Sequence, residues 1–416
     1  MPLSSRRPRI LFVAEAVTLA HAARTSVLAK ALDPLKYEVH GAWDPRHAAP
    51  LGPMPFPYHP IRSLATEEFL RRLSSGQPMH DTETLRDYVR QDVELIERIS
   101  PDVIVGDFRL SLAASAKLAG VPRVTIANAY WSPWGRQSFL FPEYDYPLTG
   151  LLGERAARQL FRIFRDVGFA AHTRPLNRVL RENRLPQIGS DIRTMYTGGD
   201  ATLYCDIPEL VPIEGLPPSH QYIGAVLWSP VVPQPDWWHD LPAERPVIYV
   251  TPGSSGELNW LPIVCEALAG LPVTVIAATA GRIDLPRIPD NARVAAFLPG
   301  IEAASKASLV ICNGGSATTS QALAGGAAVL GIVSNNMDQH LNMQAVRKAG
   351  AGEVLRARGV TAGAIRSAAS SLLASTRHAL AAQKFAQAHV RCKAEERFPA
   401  IIAQFLENSG RVTRTE

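Results

Sequence analysis

The run Ala307–Gly352, ASLVICNGGSATTSQALAGGAAVLGIVSNNMDQHLNMQAVRKAGAG, decides the fold. It opens with Leu309 to Cys312, an apolar run that reads as a buried parallel strand. Asn313, Gly314, Gly315 and Ser316 turn the chain, and Ala317 to Ala324 resumes as a helix of small residues. A glycine turn between a buried strand and a helix aims backbone N–H groups at one point, where the helix dipole favours negative charge. That is a place for a phosphate. A second buried strand, Ala328 to Val333, is followed by Ser334-Asn335-Asn336-Met337-Asp338-Gln339. These polar side chains fall at the carboxyl end of a strand beside the phosphate turn, the usual ligand crevice of an open α/β sheet. Each half of the signal also has a plainer reading, as a tight connection and as a helix cap.

Taken together, NGGSAT at Asn313 to Thr318, QAL at Gln321 to Leu323 and DQHLNM at Asp338 to Met343 resemble the donor-binding signature of the family 1 glycosyltransferases. The family pattern runs HGGxGT, EAL, G-P and DQxxNA, on a fold of two Rossmann-like domains called GT-B. The resemblance implies an α/β protein whose two halves face a central cleft and which uses a nucleotide sugar as co-substrate, with no cofactor. It implies that Asn313, Gly314, Gly315, Ser316 and Thr318 cradle the diphosphate, that Asp338 and Gln339 hold sugar hydroxyls, and that Asn342 supports the loop or contacts phosphate. Three residues depart from the pattern: Asn313 replaces His, Ala317 replaces Gly and Gln321 replaces Glu. Asn donates a hydrogen bond but carries no positive charge, so either donor affinity is lower or the diphosphate is neutralised from elsewhere.

At 416 residues the chain exceeds one ordinary core and fits two domains. Its 46% hydrophobic and 19% charged residues are those of a globular protein. A net charge of +5 suits acidic small molecules, and no basic stripe points to nucleic acid. Cys205, Cys265, Cys312 and Cys392 lie far apart with no CxxC spacing, which predicts reduced core thiols in a cytoplasmic protein. Arg6, Arg7 and Arg9 before Ile10 to Val13 mimic a signal peptide, but Glu15 interrupts the run and a first strand is expected. No run approaches the roughly 18 apolar residues of a membrane span.

From Arg9 to Ile126, apolar strands alternate with helices, predicting a parallel sheet covered on both faces. His21 and Asp107 each follow a strand of that sheet, at the end where loops converge. The resemblance extends here. The family's first strand leads to Gly-His, with His as general base, and its partner Asp closes P-D-x-V-x-x-D, present as Pro101 to Asp107. Ala20 replaces the Gly, and Arg24 stands where Pro is frequent. The plainer reading is that both residues cap helices.

Asn128 to Gly150 is dense in aromatics, and Tyr130, Trp131, Trp134 and Phe139 read as the wall of an acceptor pocket, with a packed loop covering the core as the equal alternative residue by residue. Glu143-Tyr144-Asp145 between prolines reads as a solvated turn, and no metal site is expected. Leu152 to Val167 is a basic amphipathic helix that leaves peripheral contact with an anionic membrane open. Proline density marks residues 227–246 as a linker between an acceptor domain, 1–226, and a donor domain, 247–395. Within the second domain the resemblance assigns Ser254 to the phosphate, Phe297 to stacking on the base and the Leu298 main chain to a pyrimidine edge. Residues 396–416 are expected to form a helix that crosses back to the first domain.

These readings combine into an inverting glycosyltransferase, independent of metal. It would move a sugar from a UDP or TDP sugar to a hydroxyl of a small aromatic or apolar acceptor. A nucleotide-sugar epimerase and a non-catalytic sugar-nucleotide binder remain alternatives, and a monomer and a homodimer both fit.

Overall fold

The structure is a computed structural model describing residues 6–137, 139, 147–254 and 256–410; for 147–155, 157 and 158 it describes backbone alone. The first sheet has seven strands: β1 (Arg9–Ala14), β2 (Glu38–Trp43), β3 (Tyr58–Pro60), β4 (Val103–Asp107), β5 (Arg123–Ala127), β6 (Ala201–Tyr204) and β7 (His220–Tyr222). They pair in parallel in the order β3-β2-β1-β4-β5-β6-β7. The second sheet has six: β8 (Val247–Thr251), β9 (Thr274–Ala278), β10 (Ala292–Ala295), β11 (Leu309–Cys312), β12 (Ala328–Val333) and β13 (Gly352–Arg356). Their order is β10-β9-β8-β11-β12-β13, again parallel.

The central strands of both sheets are read directly from continuous apolar runs, whereas the short or polar edge strands Tyr58–Pro60, His220–Tyr222 and Gly352–Arg356 carry no such run. Leu309 to Cys312 and Ala328 to Val333 are buried along their whole length, as strands covered on two faces must be. The strand order reverses between β1 and β4 in one sheet and between β8 and β11 in the other. At such a switch point the following helices leave to opposite faces and open a crevice at the strands' carboxyl ends.

Two segments tie the halves together. Residues 227–246 run between the sheets without a strand or α-helix and contain a short 3-10 turn, Asp236–His239, whose Trp238 is buried. The last helix, Ala394–Asn408, buries Phe398, Ile402 and Leu406 in the core of the first sheet, with Phe398 against Phe12 at 5.9 Å. Each such side chain contributes roughly 1.5–3 kcal/mol of burial. The basic amphipathic stretch lies inside one long helix, Pro147–Glu182. No helix among the described residues is long and apolar enough to cross a membrane.

Candidate functional site

The first domain's half of the site begins at the edge shared by β1 and β4, where Ala14 pairs with Asp107. The chain leaves β1 through Glu15 and enters the Leu19–Lys30 helix, whose first turn carries His21. His21 Nδ1 meets Asp107 Oδ1 at 2.9 Å, although 86 positions separate them. The Asp107 carboxyl is 1% exposed; burial pushes it up, but Arg24 and then His21 more than offset that, leaving it below the usual carboxylate range. An ionised carboxylate only accepts, so His21 Nδ1–H donates and Nε2 keeps the lone pair. The imidazole also stacks on Phe108 at 4.8 Å and 7°. Phe108 has φ 59, a left-handed conformation that a bulky residue adopts only where its surroundings enforce it.

Arg24, noted in the sequence only as a departure, is the third member of this group. Its Nε and Nη2 donate to the two Asp107 oxygens at 2.7 and 2.8 Å, and Nη1 donates to Asn128 Oδ1 at 2.9 Å. Asn128 in turn donates to Asp206, which also accepts the Ala129 N–H at 2.6 Å. Burial pushes the Asp206 carboxyl up to about 6.

A second buried cluster fixes the loops that carry these groups. Arg109 bridges Glu15 and Asp92 at 3.0 Å each, its guanidinium lies 3.6 Å over the Tyr88 ring, and Ser111 donates to Asp92. Burial raises the Glu15 carboxyl, yet the contacts with His80 and Arg109 outweigh it and hold the group at about 2. Sequence reading took Glu15 only as the residue that ends the first apolar run. Its partners lie too far along the chain for spacing to show.

The donor half is built mostly from backbone. Gly314 has φ 79, and an added Cβ would lie 2.7 Å from Met343 and 2.8 Å from Val333. Glycine is therefore required there twice over, by conformation and by packing. Asn313 Oδ1 accepts the Gly315 N–H at 3.2 Å. The Ser316–Ala324 helix starts at Gly315 with no side-chain cap, which leaves the N–H groups of its first turn for a ligand. Ser254 lies on the turn after β8, beside Gly253 with φ 65; Ser255 is outside the described residues. Arg282, which sequence reading missed, donates to the carbonyls of Gly253 and Gly256 at 2.9 and 3.1 Å. Phe297 is half exposed next to Gly281, and Leu298 is buried.

Asp338 heads the Met337–Lys348 helix, and its Oδ1 accepts two bonds from the other domain, Tyr130 Oη at 3.0 Å and Trp131 Nε1 at 2.9 Å. Gln339 is 2% exposed, with Oε1 taken by the Ser334 N–H and hydroxyl, so it braces the loop and only its amide N–H₂ is left to meet a ligand. Asn342 is buried and donates to Gly314 O and Thr319 Oγ1, both at 2.8 Å, locking the phosphate turn from behind.

One cavity of ≈ 690 Å³ joins the two halves. His21, Arg24, Asp107 and Trp131 line it from the first domain; Ser254, Arg282, Phe297, Leu298, Asn313, Gly315, Ser316, Thr318, Asp338 and Gln339 line it from the second. Gly314 and Asn342 sit behind that lining. The aromatic wall differs from expectation. Tyr130 is fully buried and turned to Asp338, Trp134 packs on His220 at 4.6 Å away from the lining, and Phe139 is packed between Trp131 and Phe169. Phe141, Tyr144, Tyr146 and the Glu143–Asp145 turn lie outside the described residues. Instead Phe69, Leu73, Met79, Phe108 and Tyr196 join Trp131 as the apolar surface. Phe69 and Leu73 come from the amphipathic Thr66–Ser74 helix, whose pattern alone does not distinguish a core face from a pocket face.

Comparison with known proteins agrees with this geometry. Residues 264–408 match the family model of the erythromycin biosynthesis protein CIII-like C-terminal domain. The chain is 51% identical over 384 residues to a PGL/p-HBAD biosynthesis glycosyltransferase of Mycobacterium tuberculosis (strain ATCC 25177 / H37Ra), covering 92% of this chain and 89% of that one. It is 48% identical to a PGL/p-HBAD biosynthesis rhamnosyltransferase of Mycobacterium bovis (strain BCG / Pasteur 1173P2), covering 94% and 86%. The spinosyn rhamnosyltransferase SpnG, solved with thymidine diphosphate, shares the fold at TM-score 0.70 and 20% identity, covering 96% of this chain and 100% of that one. On the strength of the near-full-length identity, the chain belongs to the family 1 glycosyltransferases and has their GT-B fold.

Proposed function

We propose that this glycosyltransferase inverts the anomeric centre, works without metal, and moves a sugar from a TDP or UDP sugar to a hydroxyl of a small aromatic or apolar acceptor. The observation that carries the reading is that the His21–Asp107 pair and the open helix start at Ser316 line one cavity from opposite domains. His21 Nε2 removes the acceptor proton, and Asp107 holds the ring and stabilises the imidazolium. The acceptor oxygen bonds to the anomeric carbon from the face opposite the nucleotide. The bond from that carbon to the phosphate oxygen breaks, and the diphosphate leaves with the electron pair. Ser316, Thr318 and Ser254 supply N–H and O–H donors where that charge grows, and Gly315, whose N–H is held by Asn313, lets the diphosphate approach the main chain. Arg282 provides the positive charge that Asn313 lacks, and Phe297 stacks on the base.

Asp338 keeps Oδ2 for a sugar hydroxyl, because Oδ1 is already occupied by Tyr130 and Trp131. The rhamnosyltransferase relative and the thymidine diphosphate bound to SpnG make TDP-rhamnose the first donor to test. The acceptor enters beside Phe69, Leu73, Met79 and Phe108. The test is a donor screen by thermal shift with TDP and UDP sugars, followed by transfer to a panel of phenols and apolar alcohols. Product anomers are read by NMR. Inverted product with the best donor is expected; retention of configuration, or conversion of the donor with no acceptor present, refutes the reading.

A further inference from the structure

Arg24 has no place in the reaction described above, yet its side chain is held by three hydrogen bonds next to His21. It meets Asp107 through two roughly parallel N–H···O bonds, at 2.7 and 2.8 Å, and is anchored to Asn128 at 2.9 Å. Such a fork fixes a carboxylate in plane and in distance, which a single ammonium cannot do. Asp107 Oδ1 is shared between Arg24 Nη2 and His21 Nδ1, so the arginine fixes the oxygen that fixes the imidazole. The Arg24 side chain is 13% exposed and that of Asp107 1%, so little water screens their charges.

We propose that Arg24 is a positioning residue for proton removal: it sets the posture of Asp107 and offsets that carboxylate's charge, so that His21 is held in line while the carboxylate's pull on a proton at the ring is weakened. The proposal rests on the reading of His21 as the base. In a bare His–Asp pair, one buried negative charge beside the ring favours the imidazolium, which cannot accept a proton from the acceptor. A positive charge on the far side of the carboxylate removes much of that pull. The carboxylate still stabilises the imidazolium once transfer has moved a proton onto Nε2.

Other titratable groups surround the trio. His47, on the turn after β2, senses His21 and is held down by burial. Cys205, just beyond β6, faces Arg24 and Asp107, with Asp206 and Glu395 near it, and burial pushes its thiol well up. Tyr130 faces Arg24, and Asp338 lies beyond it across the cleft. Asp206, pushed up to about 6 by burial, titrates in the range of interest, so the readout must report on the His21 ring itself.

The experiment uses the full chain labelled at histidine and follows the His21 ring by NMR titration, assigned from the signal missing in His21→Ala. Arg24→Gln removes charge and fork; Arg24→Lys keeps charge and loses the fork. In Arg24→Gln the ring should titrate about one pH unit higher than in wild type, the lower end of what a nearby charge does. In Arg24→Lys it should titrate as wild type. With the donor and acceptor found by the panel above, the acidic limb of kcat/KM should move with the ring in Arg24→Gln. Arg24→Lys should lose rate evenly across pH. Thermal melts identify a variant that fails to fold. A ring titration unchanged in folded Arg24→Gln overturns the proposal, as does a loss of rate that is uniform in pH. If His21→Ala retains transfer, the base reading itself fails; if it does not and the Arg24→Gln ring stays put, only the arginine's role is lost.

Discussion

The two faces of the cleft are built by opposite means. On the first domain's side the chemistry lies in side chains that already have partners: His21, Asp107, Arg24, Asn128 and Asp206 form one hydrogen-bonded series, and Glu15, Arg109 and Asp92 form another beneath it. On the second domain's side it lies in backbone that lacks partners: the uncapped start of the Ser316–Ala324 helix, with Asn313 and Asn342 shaping the turn from the sides. The contrast follows from what each half must do. A base needs a defined proton state, which costs desolvation and is set by paired charges. A leaving diphosphate brings its own charge and needs only fixed dipoles aimed at it.

Breaking the charged side should have the largest effect. His21→Ala removes the atom proposed to take the acceptor proton, and transfer should fall by roughly two to four powers of ten. Donor affinity, measured by calorimetry, should stay within about twofold, because the partners that hold the ring, Asp107 and Phe108, both belong to the first domain. A variant that keeps more than about a tenth of the wild-type rate would show that the proton leaves by another route.

The next test concerns what the charged side costs to assemble. Glu15 sits at about 2 in the folded protein against an ordinary 4.5, a depressed carboxyl. The unfolded chain binds its proton at higher pH than the folded one, so this group's stabilisation is complete above about 4.5 and is lost as pH falls towards 2. The shift corresponds to roughly 3 kcal/mol. Denaturant melts of wild type should therefore weaken across that window. Glu15→Gln, measured the same way, should be less stable at neutral pH and flatter below 4.5. Parallel slopes for the two proteins would mean that the cluster's charge is not what holds the β1 and β4 loops.

How much of this was legible in the chain itself depends on the length of the signal. The central strands of both sheets were readable because buried parallel strands are unbroken apolar runs, and the phosphate turn because its glycines, its small helix and the following Asp-Gln are contiguous; the edge strands Tyr58–Pro60, His220–Tyr222 and Gly352–Arg356, covered less and more polar, gave no such signal. His21 and Asp107 could be nominated because each follows a strand, and strands of one sheet end together. Arg24 and Arg109 could not be read the same way, since an arginine's partner depends on which strands become neighbours. The aromatic stretch misled for a related reason. Tyr130 and Trp131 are adjacent in sequence, yet Tyr130 is fully buried with only its hydroxyl used, while Trp131 reaches the cavity. Density of aromatics says that a surface is packed, not which side of it is wet.

Asp338 is where the two modes of construction meet, since its carboxylate belongs to the donor half while Tyr130 and Trp131 hold it from the other. Asp338→Ala should weaken a nucleotide sugar by about tenfold to a hundredfold, as for a lost hydrogen bond to a charged group. It should weaken the free nucleotide diphosphate far less. Tyr130→Phe should give a smaller loss of the same kind, because it leaves Trp131 on Oδ1. Equal losses for both ligands would place Asp338 at the domain interface only, and not at the sugar.

Arg282 tests whether the donor half is as nearly neutral as its backbone suggests. It is a cation on the donor side that both lines the cavity and touches the turn carrying Ser254, through the carbonyls of Gly253 and Gly256. Those two bonds brace the turn, so Arg282→Ala alone would mix loss of charge with loss of bracing. Arg282→Gln keeps a donor for the carbonyls and removes only the charge. If backbone dipoles do most of the holding, this variant should bind nucleoside diphosphate about tenfold more weakly, with a shallower dependence on salt, since exposed charges are the part that salt screens. Affinity for the uncharged nucleoside should not change. A loss approaching a thousandfold would make Arg282 the principal anchor of the diphosphate and would remove the contrast between the two faces. No change at all would leave Asn313 and the helix start to hold the diphosphate without a cation, and the contrast would be sharper than drawn.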